Sequence, residues 1–443
     1  MLHYQTNQQM KNIYAFLLLS FSLANAQETE VVKWINSNAI IIEDTNPDTS
    51  LDNFKKHTPN IFKDVKLFGF GEATHYTKEF FNLKAKFFKY LVENEGVTLF
   101  IMEESFGHAD DINDYLKGGN GTADQLTGTL GFGVWRNQEV AGLISWIKTY
   151  NQDKPETKQV KFYGMDNQFG YKTNEVVKQF ITKYSINTPE KTAALLDSCA
   201  NADARFINKS ILKNYLKQLD NITADLKNNF TPSNTTQFKD YDHAAYALTI
   251  LKQYIAFELN HSYKERDKAM AENAIYLMQH QGKDVKGFIW AHNGHIDKKG
   301  IWQAHSTGYH LKKEFGDTYY SMGFDFATGQ LYTKTKEGKI YKGGLHTISE
   351  PLKDTYADVF TEADAPVFII DFKAAQKDII MKDFLKSNRK IITTGGGGYN
   401  PLYKGSKENL LELYDGILFV RDISHATYME ERLPESMRVL TKP

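Results

Sequence analysis

Short apolar runs recur along the chain and are separated by polar, glycine-containing or helix-patterned segments. Apolar runs of this length are typical of strands that are buried on both faces of a sheet. Their alternation with helical patterns predicts an α/β fold: a three-layer core around a mostly parallel sheet. The predicted strands are Val65–Phe70, Val97–Met102, Val160–Met165, Val285–Ala291, Tyr319–Phe324, Val367–Ile370 and Gly416–Val420.

The clearest helical pattern follows the first of these strands. Phe80, Phe87 and Leu91 recur at the spacing of one helix face, and each is followed by a second apolar residue. A wide apolar stripe of this kind predicts a helix that packs on the sheet.

Between about Thr173 and Gln281 the strand pattern disappears and helical spacing continues, with a break near Thr231–Thr236. This predicts an all-helical insertion that covers one end of the sheet and walls a pocket. The predicted division of the chain is a signal peptide at 1–26, a first part of the α/β core at 27–172, the insertion at 173–281, and a second part of the core at 282–443.

The N-terminal segment has the layout of a secretory signal. Lys11 precedes an apolar run, and Ala24-Asn25-Ala26 provides small residues at a cleavage position. We therefore expect a periplasmic or secreted protein, with Met10 preferred over Met1 as the start because it places Lys11 in a compact positive region. The apolar run is too short for a comfortable membrane span, and no other segment reaches spanning length.

Composition excludes several classes of protein. Lys and Arg number 53 against 54 Asp and Glu, so the chain lacks the basic excess that a nucleic-acid binder needs. The single Cys199 excludes an intramolecular disulfide and a thiolate-rich metal site. The Gly395–Gly398 run lacks the Lys-Ser/Thr of a phosphate-binding loop and is interpreted as an ordinary loop.

Candidate chemistry stands where predicted strands end. Glu72, Glu103, Asp166 and His292 each follow an apolar strand. Ligands of open α/β sheets bind beyond the carboxyl ends of the strands, so these side chains are expected to converge there.

Two segments share a spacing of three: Glu72 with His75, and His292 with His295. His75 is expected near the start of the following helix, where the helix dipole favours the neutral imidazole. A neutral imidazole beside an acid is a candidate general base.

Other chemistries fit less well. The chain has no Gly-x-Ser-x-Gly element, and Cys199 lies in a helical stretch without a nearby His, which disfavours a serine or cysteine nucleophile. Glu-x-x-His and His-x-x-His can bind a metal, but their usual place is within bundle helices rather than at strand ends. Water activated by His or Glu is therefore preferred, and a metal site remains the second interpretation.

Taken together, the motifs resemble the erythromycin esterase family. They are Gly71-Glu72-Ala73-Thr74-His75, Glu79-Phe80-Phe81, Glu103, Trp135, Phe162–Asp166, Arg266-Asp267 with Met270-Ala271 and Asn273, Trp290–His295 and Met322-Gly323-Phe324. The resemblance spans roughly Val65 to Val420. It implies metal-independent hydrolysis of a carboxylic ester or macrolide-like lactone, without a cofactor.

The resemblance also implies roles for individual residues. His75 is the expected base, Glu72 and Glu103 the acids that hold it and the water, and His292 and His295 further catalytic residues. Arg266 is the expected cation for the developing oxyanion. The expected substrate-binding residues are Lys84, Trp135 and Asn293.

Lys84 departs from the family pattern, because macrolide esterases carry Arg nine residues after the His. Lysine keeps the positive charge but lacks the planar guanidinium group of arginine, so macrolide specificity is not implied. Two alternatives remain open: a metal-dependent hydrolase that uses the same Glu/His cluster, and a non-catalytic protein that binds a lipid, haem-like or polyketide ligand. The expected partner is a small-molecule ester or lactone, and the sequence leaves the oligomeric state open.

Overall fold

A computed structural model describes residues 26–282, 284–301, 305–337, 340–392 and 406–428. The expected signal peptide, apart from Ala26, and the Gly395–Gly398 loop lie outside these ranges.

A nine-stranded sheet forms the centre of the fold, with the strand order β1-β8-β11-β6-β2-β5-β3-β4 and with β7 paired to β6. Strands β11, β6, β2, β5, β3 and β4 are parallel to one another, whereas β1, β7 and β8 pair antiparallel. A separate antiparallel pair joins β9 and β10. The strands are β1 (Ile40–Ile41), β2 (Leu67–Phe70), β3 (Val97–Ser105), β4 (Lys161–Asp166), β5 (Lys286–Trp290), β6 (Tyr319–Glu337), β7 (Ile340–Ile348), β8 (Val367–Asp371), β9 (Arg389–Ile391), β10 (Ser406–Glu408) and β11 (Gly416–Ile423).

All seven predicted strands are present, but five of them (β3, β4, β6, β8 and β11) end later than predicted. Strand β3 continues to Ser105 and β4 to Asp166, because Ser105 still pairs with Asp166 beyond a bulge. Glu103 and Asp166 therefore lie within the last residues of their strands rather than after them. Strand β6 also runs past its predicted end and pairs with β7.

Helices cover both faces of the sheet. Helices α4, α5 and α7 contribute to the apolar core on one face, and α12, α14, α15 and α17 to the core on the other. This confirms the three-layer α/β fold. The helices are α1 (26–38), α2 (Asp52–Lys55), α3 (Thr58–Ile61), α4 (Lys78–Glu95), α5 (Ala109–Leu116), α6 (Ala123–Thr129), α7 (Gln138–Asn151), α8 (Thr173–Lys183), α9 (Thr192–Ala200), α10 (Lys209–Asn229), α11 (Thr235–Asn260), α12 (Tyr263–His280), α13 (Asn293–Ile296), α14 (Thr307–Phe315), α15 (Tyr356–Phe360), α16 (Phe372–Ala375), α17 (Ile379–Leu385) and α18 (Leu410–Leu413).

The region between β4 and β5 contains helices α8 to α12. Helices α8 to α11 share a third apolar core with Phe106, which immediately follows β3. An all-helical insertion is thus part of the fold, while its exact limits at 173 and 281 stay a prediction. No helix among the described residues is long and apolar enough to cross a membrane.

Candidate active site

Four adjacent parallel strands, in the order β2-β5-β3-β4, end at one edge of the sheet. Glu72, His292, Glu103 and Asp166 stand at these ends, and all four are buried. The convergence expected from the strand-end positions is therefore observed.

His75 and Glu72 form a close pair at the end of β2. His75 Nδ1 lies 2.5 Å from Glu72 Oε1, and the His75 side chain is 10% exposed. The turn that carries both residues leads directly into α4, whose N-cap residue is Thr77. A carboxylate at Nδ1 holds the proton on that nitrogen and leaves Nε2 as the proton acceptor.

Lys84 lies behind this pair, one and a half turns into α4. Its ammonium contacts Glu72 Oε2 and is fully buried beside the Trp290 ring, 4.1 Å from the ring centroid. Burial lowers the pKa of Lys84 to about 8, although Glu72 and Glu103 favour the charged form. Lys84 thus supports Glu72 rather than facing an open cleft, and its predicted contact with substrate remains a prediction.

His292 faces His75, with the two ring centroids 5.0 Å apart. Its backbone N–H donates to Glu103 Oε2 at 3.0 Å, and its Nδ1 accepts the N–H of Gly294 at 3.1 Å. Burial, reinforced by the positive charge expected on nearby groups, holds the pKa of His292 well below its usual value. The imidazole is therefore neutral and carries its proton on Nε2.

Arg266, from α12, links the ends of β3 and β4. Its Nε donates to Asp166 Oδ1 at 3.0 Å, its Nη2 donates to Glu103 Oε1 at 3.0 Å, and the Nη2 group also contacts Asp166 Oδ2. Burial opposes ionisation of Glu103, but His295 and Arg266 hold its pKa well below the usual range. The guanidinium bonds two carboxylates, which gives Arg266 a positioning contact, and its expected role at the oxyanion stays a prediction.

His295 lies between two carboxylates. Its Nδ1 is 2.6 Å from Asp267 Oδ1, and its Nε2 is 3.3 Å from Glu103 Oε1. Burial disfavours the charged ring, yet Asp267 and Glu103 raise the pKa of His295 to about 10. The two carboxylates thus favour the charged ring, while Arg266 Nη1 also approaches His295 Nε2, at 3.2 Å.

The side chains of Trp135 and Asn293 form hydrogen bonds with backbone groups near the end of β3 and within β6. Trp135 Nε1 donates to the carbonyl of Glu103 at 2.7 Å, and its ring stands perpendicular to His75 at a centroid distance of 5.5 Å. The amide of Asn293 bonds both the N–H and the carbonyl of Phe324, at 3.0 and 2.7 Å. Asn293 thus ties the turn after β5 to β6, and a direct contact of either residue with substrate stays a prediction.

Two acids in this region had no role in the sequence-based analysis. Asp267 holds His295 and accepts the backbone N–H and the hydroxyl of Thr307. Glu104 accepts the backbone N–H groups of Gly131 and Phe132, and thereby fixes the loop that leads to Trp135. Glu104 directly follows Glu103, and this adjacency in the sequence was the signal that could have identified it.

Within the described ranges, no group of three or more His, Cys, Asp and Glu side chains is placed to hold a metal ion. A surface groove of about 500 Å³ lies along α4 and α7, and none of the predicted site residues lines it.

The fold and the site define a three-layer α/β protein with histidines and carboxylates gathered at the carboxyl edge of its sheet. The chain belongs to the erythromycin esterase family, whose sequence profile matches residues 92–423, about three quarters of its length. Glu103, Trp135, Arg266, His292 and His295 fall within this match, and Glu72, His75 and Lys84 precede it. Membership of this family supports hydrolysis as the reaction class.

Individual relatives agree with this assignment. The chain is 24% identical over 329 residues to erythromycin esterase type II of Escherichia coli, an alignment that covers 67% of this chain and 77% of the relative. A Bacillus cereus protein of known crystal structure superposes with a TM-score of 0.77 at 25% identity, covering 91% of this chain and 99% of that one. A histidine-to-asparagine mutant of the erythromycin esterase EreC, in its open conformation, has a TM-score of 0.61 at 16% identity, covering 86% and 97%.

Proposed function

We propose that the protein hydrolyses a carboxylic ester or lactone with a water molecule that His75 activates. The observation that carries this proposal is the Glu72–His75 pair. Glu72 Oε1 lies 2.5 Å from Nδ1, and among the described residues no group hydrogen-bonds Nε2. A buried imidazole in this state can accept a proton at Nε2, and the carboxylate stabilises the imidazolium that forms.

In the proposed reaction the water oxygen attacks the carbonyl carbon while His75 Nε2 takes one of its protons. The carbonyl π electrons move to oxygen and give a tetrahedral oxyanion. When the intermediate collapses, the bond to the alcohol oxygen breaks, and the imidazolium returns its proton to that oxygen. The products are a carboxylic acid and an alcohol, or one hydroxy acid from a lactone.

His292 is the proposed donor to the oxyanion. Its neutral ring carries a proton on Nε2 and stands next to His75. A neutral imidazole can polarise a carbonyl without competing for the proton that the base must take. The Glu103 carboxylate fixes His292 through its backbone N–H, and Arg266 and His295 keep that carboxylate ionised.

The substrate is proposed at the level of its reacting group. The named Escherichia coli relative is an erythromycin esterase, which makes macrolide-like lactones the first compounds to test. Lys84 stands where the resemblance expects Arg, which favours a different ester as the preferred substrate. The leader-like segment at 1–26 supports a periplasmic or secreted location.

A panel of simple esters, lactones and macrolides, incubated with the purified protein, tests the proposed reaction. We expect at least one compound to be cleaved to its acid and alcohol. The Glu72→Gln variant should cleave the same compound far more slowly, because a neutral amide stabilises the imidazolium less. Failure of every compound in the panel would count against the proposed reaction.

A further inference from the structure

The segment Ser424–Tyr428, which follows β11, crosses the starts of α4 and α7; we call it the strap. It pairs through isolated antiparallel bridges with Thr77 and Asn137, the N-cap residues of these two helices. The backbone N–H of Lys78 donates to the Ser424 carbonyl at 2.9 Å, and that of Gln138 donates to the Thr427 carbonyl at 3.0 Å. The strap therefore joins two helix starts that are distant in sequence.

Each helix start also holds the strap with a glutamate at its second position. Glu79 accepts the backbone N–H and the hydroxyl of Ser424, both at 2.6 Å. Glu139 accepts the backbone N–H of Thr427 through both carboxylate oxygens, at 3.1 Å each. Both glutamates are half-buried. In both places a glutamate accepts a backbone N–H of the strap, and Glu79 also accepts a hydroxyl, so the strap is held at both helix starts.

The two fastened segments carry site residues. His75 lies three residues before Lys78, and Trp135 lies three residues before Gln138. The rings of His75 and Trp135 are 5.5 Å apart. Any shift of one helix start relative to the other would change this contact.

The residue that follows His75 gives a second, independent indication. Tyr76 has a φ of 65°, a region that residues other than glycine rarely occupy. The strap holds it there, because the Tyr76 carbonyl accepts the N–H of Ala426 at 2.7 Å and its ring contacts Tyr428 at a centroid distance of 5.5 Å. Such backbone outliers persist where the surroundings fix them, often beside functional groups.

We propose that the strap is a positioning element that fixes His75 and Trp135 relative to each other, with Glu79 and Glu139 as its positioning residues. The consequence for turnover rests on the proposed function of His75 as the base. The consequence for local order does not, because it follows from the hydrogen bonds of the strap alone.

The test compares the variants Glu79→Ala, Glu79→Gln and Glu139→Ala in the full protein. Glu175→Gln serves as the control, because Glu175 also lies in the first turn of a helix, and within the described ranges its carboxylate bonds only Lys178 and Asn174. Hydrogen–deuterium exchange is measured on peptides that cover residues 74–82 and 134–141. Turnover of an ester substrate is measured in parallel.

Glu79→Ala should raise exchange in the 74–82 peptide about fivefold or more, and Glu139→Ala should do so in the 134–141 peptide. Glu79→Ala should lower kcat about tenfold with little change in KM, since a displaced base slows chemistry more than binding. Glu79→Gln keeps one acceptor oxygen and should recover part of both effects. The Glu175→Gln control should match the unmodified protein.

Exchange in the 74–82 peptide of Glu79→Ala that equals that of the unmodified protein would overturn the proposal. So would raised exchange with unchanged kcat, because His75 would then not depend on the strap. If the unmodified protein cleaves no ester, exchange alone decides about the strap, and the missing turnover counts only against ester hydrolysis.

Discussion

Lys84 offers a sharp test of how the site is held together. The Lys84→Met variant removes the ammonium that contacts Glu72, in a pair whose two side chains are fully buried. Breaking a buried ion pair from one side generally costs about 3–5 kcal/mol, because the remaining charge loses its partner. We expect a loss of about 3 kcal/mol here, at the low end, since the pKa of about 8 shows that burial already penalises the charged lysine.

A double variant separates the effect of the two charges from the effect of side-chain shape. Glu72→Gln/Lys84→Met removes both charges, so it should recover most of the free energy of unfolding that Lys84→Met loses. It should not recover turnover, because a neutral amide cannot stabilise a protonated His75. Lys84→Arg keeps the cation beside the Trp290 ring and should retain more turnover than Lys84→Met.

Urea unfolding at pH 7, followed by circular dichroism, gives the free energies of unfolding, and the best ester from the panel gives the rates. Two results would refute the reasoning. One is a Lys84→Met protein as stable as the unmodified chain, and the other is a double variant no more stable than Lys84→Met.

Three further predictions concern charge, metal and substrate. The pKa of His295 is raised to about 10, so its charge stabilises the fold fully below pH 6.5, and this contribution is lost as the pH rises towards 10. In His295→Gln the free energy of unfolding, measured by urea unfolding, should therefore change less between pH 6.5 and pH 10. Prolonged chelator treatment should leave ester turnover intact, whereas loss on chelation and recovery on adding a metal would support the metal-dependent alternative. Erythromycin should be cleaved more slowly than the best ester of the panel, and efficient cleavage would show that Lys84 does not exclude macrolides.

Much of the fold could be predicted because central strands are buried on both faces and leave continuous apolar runs. Strand β7 has no such run, and β1 is a two-residue strand within the short apolar run Ala39–Ile42, which was not predicted as a strand. Strand β3 was predicted too short because the acids Glu103 and Glu104 follow its apolar run, and the sequence alone does not show that Ser105, beyond them, pairs with Asp166 of β4.

The site was predictable where it depends on strand ends, and less so where it depends on helix packing. The placement of Glu72, Glu103 and His292 follows from the rule that parallel strands share one carboxyl edge. The contact of Arg266 with Asp166 joins residues 100 positions apart and depends on how α12 lies across the sheet. For that reason neither the hydrogen bond of Asp267 to His295 nor the contacts of Arg266 with two acids were predicted.

The central claim is that His75, held by Glu72, is the base that activates water. The most direct measurement is kcat/KM of the His75→Asn variant on the best ester, with the thermal midpoint as a check on folding. We expect a fall of about two to four orders of magnitude while the protein stays folded, because a positioned proton acceptor is worth about that much. A folded His75→Asn protein with near-normal kcat/KM would contradict the account.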